Sequence, residues 1–226
     1  MRTRPFICML AVMLTMLFHG TALAAEGDEA RKVEAAAEVL REIMEVPEKG
    51  LPESLFHEAY GIAVIPEVIK VGFVVGGRWG RGVVVVRDSS GGWSDPSFVT
   101  ITGGSVGWQI GAQSTDVILV FKSSKGVEGM TRGKFTLGAD AAIAAGPVGR
   151  QAEAATDAQL KAEIYSYSRS RGLFAGVSLE GSALQIDDEW NGRFYGKDGI
   201  TPGEIFTGKA QGVPAVVDKL KDALSR

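Results

Sequence analysis

The spacing of hydrophobic positions changes character along this chain of 226 residues. Val33, Ala37, Leu40 and Met44 recur at steps of four, three and four, which predicts an amphipathic helix ended by Pro47. A shorter helix is expected from Glu53 to Tyr60, with Pro52 at its start and Gly61 past its end. From Ile62 onward the pattern turns to strands. Ile62 to Ile65, Gly72 to Val75 and Val83 to Val86 read as short β-branched runs, and Asp88 to Gly92 as a turn. Across Phe98 to Gly111 the apolar positions are odd before Gly103 (Val99, Ile101) and even after Gly104 (Val106, Trp108, Ile110). A strand has period two, so this switch predicts a bulge at Gly103-Gly104.

Val117 to Phe121 is continuously apolar, as in a strand buried on both faces. Phe135 to Ala145 alternates apolar residues with very small ones, and Gly103, Ser105, Gly107 and Gly111 give a similar small face. Such faces allow another backbone, or a ligand, to approach closely. Tyr165 to Arg169 and Phe174 to Leu184 predict a hairpin around Arg171-Gly172, after a helix over Glu153 to Ala162. Pro214 opens a last helix with Val213, Val217, Leu220 and Leu224 as its stripe. The fold class expected is α+β: a bent, largely antiparallel, Gly-rich sheet, barrel- or sandwich-like, with helices at both ends.

Residues 1–24 read as a leader rather than as part of this fold. Arg2 and Arg4 give a positive start, and Phe6 to Phe18 an apolar run of roughly a dozen residues. Ala22-Leu23-Ala24 supplies the small residues of a cleavage site before Ala25. The run is short of the ~20 residues that span a bilayer. The expectation is export to a periplasm; Cys8, at the start of the apolar run, does not fit a lipoprotein. Residues 25–226 then form one domain, with a core over about 30–196 and a helical extension over 201–226.

Removing the leader takes away Cys8 and His19, leaving His57 as the one imidazole and a net charge of about −5. Without cysteine and with one histidine, thiolate chemistry and tight transition-metal sites lose their ligands. No metal or cofactor is expected, and the acidic balance gives no reason for a nucleic-acid partner. Gly76 to Gly82 is glycine-rich but lacks the dinucleotide order and precedes a strand, so it reads as a β-turn. Asp140, in a small-residue strand, is a candidate buried structural carboxylate, accepting backbone N–H groups, or alternatively half of a carboxylate-based hydrolase. Asp116 and Asp187 read as turn residues.

Basic residues punctuate the strand edges at Lys70, Arg78, Arg81, Arg87, Lys122, Lys125, Arg132 and Lys134. Arg78, Trp79 and Arg81 together, with Lys122, Lys125, Arg132 and Lys134, are candidate contacts to lipid headgroups, because cations meet phosphate where an indole sits at the water boundary. The alternative is solvated charge that blunts sheet edges.

The strand segments themselves resemble the SYLF family. Gly61-Ile62-Ala63-Val64-Ile65-Pro66 and Gly72 to Arg78 resemble its opening, as do Gly103 to Gly111 and Asp116 to Phe121. Phe135 to Asp140 and Ala145 to Arg150 resemble its middle, and Tyr165 to Ser168 and Gly172 to Gly181 its end. The resemblance implies a non-catalytic phospholipid-binding protein. In eukaryotic members it implies phosphoinositide binding, and in some fungal members actin binding. Phosphoinositide binding is attributed to a basic N-terminal helix, whereas Glu26 to Lys49 holds eight acidic residues against four basic ones. Export would also remove the chain from actin. The expected partner is a phospholipid or membrane surface, with an envelope protein as the alternative if the Gly/Ala faces are subunit contacts.

Overall fold

The computed structural model describes residues 27–45, 51–88, 90–148, 162–170 and 173–225. The expected leader, the Arg171-Gly172 turn and nearly all of the helix expected over Glu153 to Ala162 lie outside them. Helices α1 (Asp28–Glu45) and α2 (Glu53–His57) precede two very long strands, β1 (Gly61–Val86) and β2 (Ser97–Phe121). There follow α3 (Ser124–Thr131), β3 (Phe135–Thr136), β4 (Ile143–Ala145), β5 (Ile164–Ser170), β6 (Leu173–Gly176) and β7 (Ala183–Ile186). Helices α4 (Asp188–Tyr195), α5 (Pro202–Phe206) and α6 (Val216–Leu224) complete the chain.

β1 and β2 pair antiparallel from Gly61↔Phe121 to Val84↔Ser97. Laid straight, β1 would run about 85 Å at ~3.3 Å per residue. Instead the hairpin doubles back, so that the two ends of β1 lie side by side: the Arg87 amide donates to the Tyr60 carbonyl at 2.7 Å. The segments that read as three short strands are therefore one strand folded over, and Gly76 to Gly82 is strand rather than turn. Its glycines are needed for the fold-over, since a Cβ on Gly82 would stand 2.1 Å from the Val64 carbonyl oxygen.

Folding a strand on itself needs a change of face, and Pro66-Glu67 supplies it. Ile65 pairs with Val117 but Val68 pairs with Thr115, so β1 carries one extra residue. Before this bulge Ile62 and Val64 face the helices while Ala63 and Ile65 face the concave side. After it the even positions Val68, Val84 and Val86 are the concave ones. Glu67 adopts φ 57°, and its amide is held by the Asp116 carboxylate at 2.9 Å. Asp116 also accepts from Arg169 Nε at 2.6 Å; Arg169 pairs in turn with Glu42 of α1, and Lys32 of α1 pairs with Glu67 at 3.1 Å. Burial pushes the Asp116 carboxyl up, and the Glu67 amide opposes that shift.

The bulge expected at Gly103-Gly104 is not there: Arg78↔Gly103 and Gly77↔Gly104 pair in unbroken succession. The irregularity in β2 lies further on, where Gly72↔Gly111 is followed by Val74↔Gly107.

The sheet order is β3-β7-β2-β5-β4, with β1 on β2 and β6 on β5; only β4–β5 is parallel. The sheet curls around one core that includes Ile65, Val99, Ile101, Leu119, Phe121 and Leu184, with α3 packed against it. A second core lies between the convex face and the helices and includes Leu40, Phe98, Val120, Tyr165, Tyr167 and Leu220. This is the expected α+β class with a strongly bent sheet. Two strand expectations change. Phe135 to Ala145 is interrupted by a turn at Gly138 (φ 86°), and Phe174 to Leu184 divides into β6 and β7, which pair with different strands. The first helix stands where the periodicity put it, with Val33, Ala37 and Leu40 buried; the last buries Val217, Leu220 and Leu224 but begins at Val216 rather than at Pro214, and Val213 lies before it, exposed.

Replacing Asp116 by Ala removes the acceptor of the Glu67 amide and a partner of Arg169. Urea unfolding is expected to show a loss of about 1–3 kcal/mol. Asp116→Asn, which retains one carbonyl acceptor, should cost less.

A cationic, apolar-rimmed end of the curled sheet

The basic residues expected to gather around Trp79 separate in the structure. Arg81 Nε donates to Asp187 at 2.7 Å, and its guanidinium lies 4.0 Å from the Trp190 ring centre and 5.5 Å from that of Trp79. Asp187 is thus more than a turn residue, since it also caps α4 by accepting from the Trp190 amide. Arg87 is likewise structural, 4.3 Å over Trp93 and bonded to the carbonyls of Ala59, Gly91 and Phe56. Lys122 pairs with Glu58 at 3.3 Å, Lys125 with Glu163 at 3.0 Å and Arg132 with Glu128 at 3.3 Å. These three and the exposed Lys134 surround α3, at the end of the sheet where Gly61 meets Phe121, away from Arg78. Asp140 is exposed rather than buried. It accepts the Thr136 amide at 2.6 Å and so closes the turn at Gly138, a structural role without burial.

Strand alternation separates Arg78 from its neighbours. Gly80 packs on Val68 and Gly76 on Val71 and Gly72, so the two halves of the doubled strand approach closely on either side of Arg78. Lys70 and Arg78 share the concave parity of Val68, whereas Trp79 and Arg81 point to the convex side, where Trp190 lies. The Arg78–Trp79–Arg81 group therefore does not converge on one ligand. Neither Lys70 nor Arg78 has a carboxylate partner among the described residues. Arg78 makes one bond, from Nη1 to the Ser178 carbonyl at 3.5 Å, the long limit of a hydrogen bond. Its Nε is buried without a partner, and burial lowers its pKa.

Beside Arg78 lies a second such atom. Arg78 pairs with Gly103, and Ser182 approaches Gly103 from the other side, so close that a Cβ on Gly103 would stand 2.7 Å from Ser182 Oγ. That hydroxyl is buried and has no partner among the described residues. The small face of β2 thus admits the β7 backbone, as the small face around Gly146 admits the Tyr167 ring. At these positions the Gly/Ala faces are filled from within the chain.

On the convex side of the same end, Ile69, Val71 and Trp79 are 45%, 49% and 48% exposed. Large apolar side chains elsewhere are mostly covered. The stripe of α1 is buried against β1 and α6, with Val33, Ala36, Ala37, Leu40 and Ile43 inaccessible, so this acidic helix has no free apolar face. Ile69, Val71 and Ser182 were absent from the candidates read in the sequence, and Lys70 stood there only among the basic residues of the strand edges. Strand alternation was the signal that could have found them, and the bulge at Pro66-Glu67 reverses it.

At the opposite end, a cleft of ≈ 610 Å³ lies beside Arg87, Asp88, Asp95 and Lys221. Its carboxylates are engaged: Asp88 by Ser90 and Gly92, and Asp95 by Lys221 at 2.7 Å. His57 borders a neighbouring cleft, exposed and 3.5 Å from Glu53. Among the described residues no group of His, Cys, Asp or Glu is arranged to hold a metal, and no helix is long and apolar enough to cross a membrane.

A family model described as "Ysc84: Las17-binding protein actin regulator" matches residues 102–226. The chain is 40% identical over 176 residues to human "SH3 domain-containing YSC84-like protein 1", covering 75% of this chain and 50% of that protein. It is 39% identical over 187 residues to the Xenopus laevis protein of that name, covering 80% of this chain and 55% of the relative. Against Saccharomyces cerevisiae "Protein YSC84" it is 38% identical over 193 residues, covering 82% of this chain and 41% of the relative. The chain spans about half the length of the curated relatives it matches.

Replacing Arg81 by Lys keeps the charge but removes the planar fork that stacks on Trp190 and holds Asp187. Thermal unfolding is expected to show a loss of about 1–2 kcal/mol. An unchanged midpoint would free Arg81 for a role at the surface.

Proposed function

The chain belongs to the Ysc84 family, the SYLF family that its strands resemble, and we propose that it is a non-catalytic protein that docks on phospholipid membranes through the bent end of the β1–β2 hairpin. The observation that carries this reading is the exposed group of Ile69, Val71 and Trp79 on one face, with Lys70 and Arg78 on the other. Apolar side chains and an indole suit the acyl boundary of a bilayer, and cations beside them suit the phosphate layer above it. The charge of the protein as a whole is negative, so attraction to an anionic surface has to be local, and this end supplies it. The family description names a binding partner, and none of the relatives quoted is named for a reaction.

The buried stripe of α1 argues against an inserted N-terminal helix as the membrane contact. The leader read in residues 1–24 favours action on the outer side of a cytoplasmic membrane, on an envelope phospholipid. A second reading, an interaction scaffold, is favoured by β6, which among the described residues pairs with β5 alone and presents Leu173 at 66% exposure. The family description adds weight to a protein partner, and co-sedimentation with filamentous actin tests one such partner directly.

Vesicle flotation of the mature chain tests the docking reading. Ile69→Ser and Val71→Ser should each weaken binding about fivefold, since each side chain is half exposed and full burial is worth roughly 1.5–3 kcal/mol. Trp79 emission should shift to the blue on contact with vesicles. Unchanged flotation of the double variant would refute this surface, and retention of pelleting with a protein partner would favour the scaffold.

A further inference from the structure

Lys70 and Arg78 share the concave parity of the folded β1, and neither has a carboxylate partner among the described residues. Nearly all buried polar atoms in native structures find a partner, yet Arg78 Nε and Ser182 Oγ, which flank Gly103, have none among the described residues. The one carboxylate on the 177–182 loop, Glu180, packs beside Gly138 instead. Two cations and a hydroxyl, all able to donate, are thus gathered where the chain provides one long acceptor contact, the Ser178 carbonyl.

We propose that Lys70 and Arg78, on the concave face of the bent end, form a phosphate-binding site with the Ser182 hydroxyl at its floor. A phosphate group offers several acceptor oxygens to these three donors. The Arg78 fork takes two of them, as guanidinium groups do with phosphate, and Lys70 supplies a second charge. Its position at Gly103 matters, because only a residue without a side chain leaves the floor open to Ser182. Occupation draws the Arg78 guanidinium away from the Ser178 carbonyl and uncovers the hydroxyl beside it. The ligand class is a phosphate mono- or diester, whose source is either a phospholipid headgroup or a soluble phosphate ester. The site deepens the docking reading and rests on it for the lipid source, whereas the phosphate chemistry stands without a bilayer.

The test is calorimetric titration of the mature chain with glycerol 3-phosphate, alongside thermal unfolding at each concentration. Saturable binding and a rising midpoint are expected, with affinity reduced about tenfold or more in Arg78→Gln and Lys70→Gln, each of which removes a charge-assisted contact. Ser182→Ala should raise the midpoint without ligand, because an unpartnered buried hydroxyl is removed. It should at the same time reduce the ligand-induced shift, which a purely structural serine would not do. Absence of saturation, or equal affinity in Arg78→Gln, overturns the site. Displacement of the protein from phosphatidylglycerol vesicles by glycerol 3-phosphate assigns the headgroup as the source, and binding without displacement assigns a soluble ester. The Ile69→Ser, Val71→Ser double variant should lose flotation while keeping its glycerol 3-phosphate affinity, so the docking surface and the phosphate site fail separately.

Discussion

The hydrogen bond from the Glu67 amide to Asp116 holds the one place where β1 changes face. Without an extra residue at Pro66-Glu67, the apolar positions of the returning half of the strand would point away from the core that Ala63 and Ile65 begin. The positive φ of Glu67 carries a local cost, and a network from three other elements holds it in place: Asp116 on β2, Arg169 on β5, and Lys32 and Glu42 from α1. The same shift places Lys70 and Arg78 on the concave side and Ile69 and Trp79 on the convex side. The bulge therefore decides both how the chain packs and which residues the bent end presents.

Two cores share one sheet. Where Gly61–Ile65 pairs with Val117–Phe121, and Gly82–Val84 with Ser97–Val99, every position is buried, because the concave face closes on itself and the convex face is covered by α1, α4 and α6. Close approach within the sheet depends on absent side chains: the fold-over at Gly82, and the entry of β7 at Gly103. Polar groups in the helical layer are matched individually. Asn191 accepts from the Phe98 amide at 2.8 Å and donates to Ser97, and the Tyr195 hydroxyl reaches the Pro96 carbonyl at 2.7 Å. These bonds fix α4 against the start of β2, which in turn sets Trp190 under Arg81.

The two terminal helices were legible because their stripes are regular, and Val117 to Phe121 was legible because it is apolar on both faces. α4 and α5 carried signals of a different kind. Asp187 is an N-cap and Gly196 a left-handed C-terminal residue, and Thr201-Pro202-Gly203-Glu204 is a capping box with proline in its first turn. Hydrophobic periodicity is weak over such short helices, so a reading led by periodicity passes them by. The site was less legible. Trp79 between Arg78 and Arg81 suggested one cluster, but adjacent residues in a strand face opposite ways. Which way each faces depends on a bulge that Pro66 and Glu67 do not announce. Close contacts such as that of Gly103 with Ser182, far apart in sequence, cannot be read from local pattern at all.

The helical layer also fixes a direction. α6 packs along α1, with Lys219 paired to Glu34, and its last turn meets the β1–β2 connection where the Trp93 indole donates to the Leu224 carbonyl. That connection lies some ten residues of strand, roughly 35 Å, from the bend. A domain fused beyond Leu224 would therefore leave from the pole opposite Ile69, Val71 and Trp79. In that geometry roughly 35 Å of sheet would separate anything joined there from the bent end.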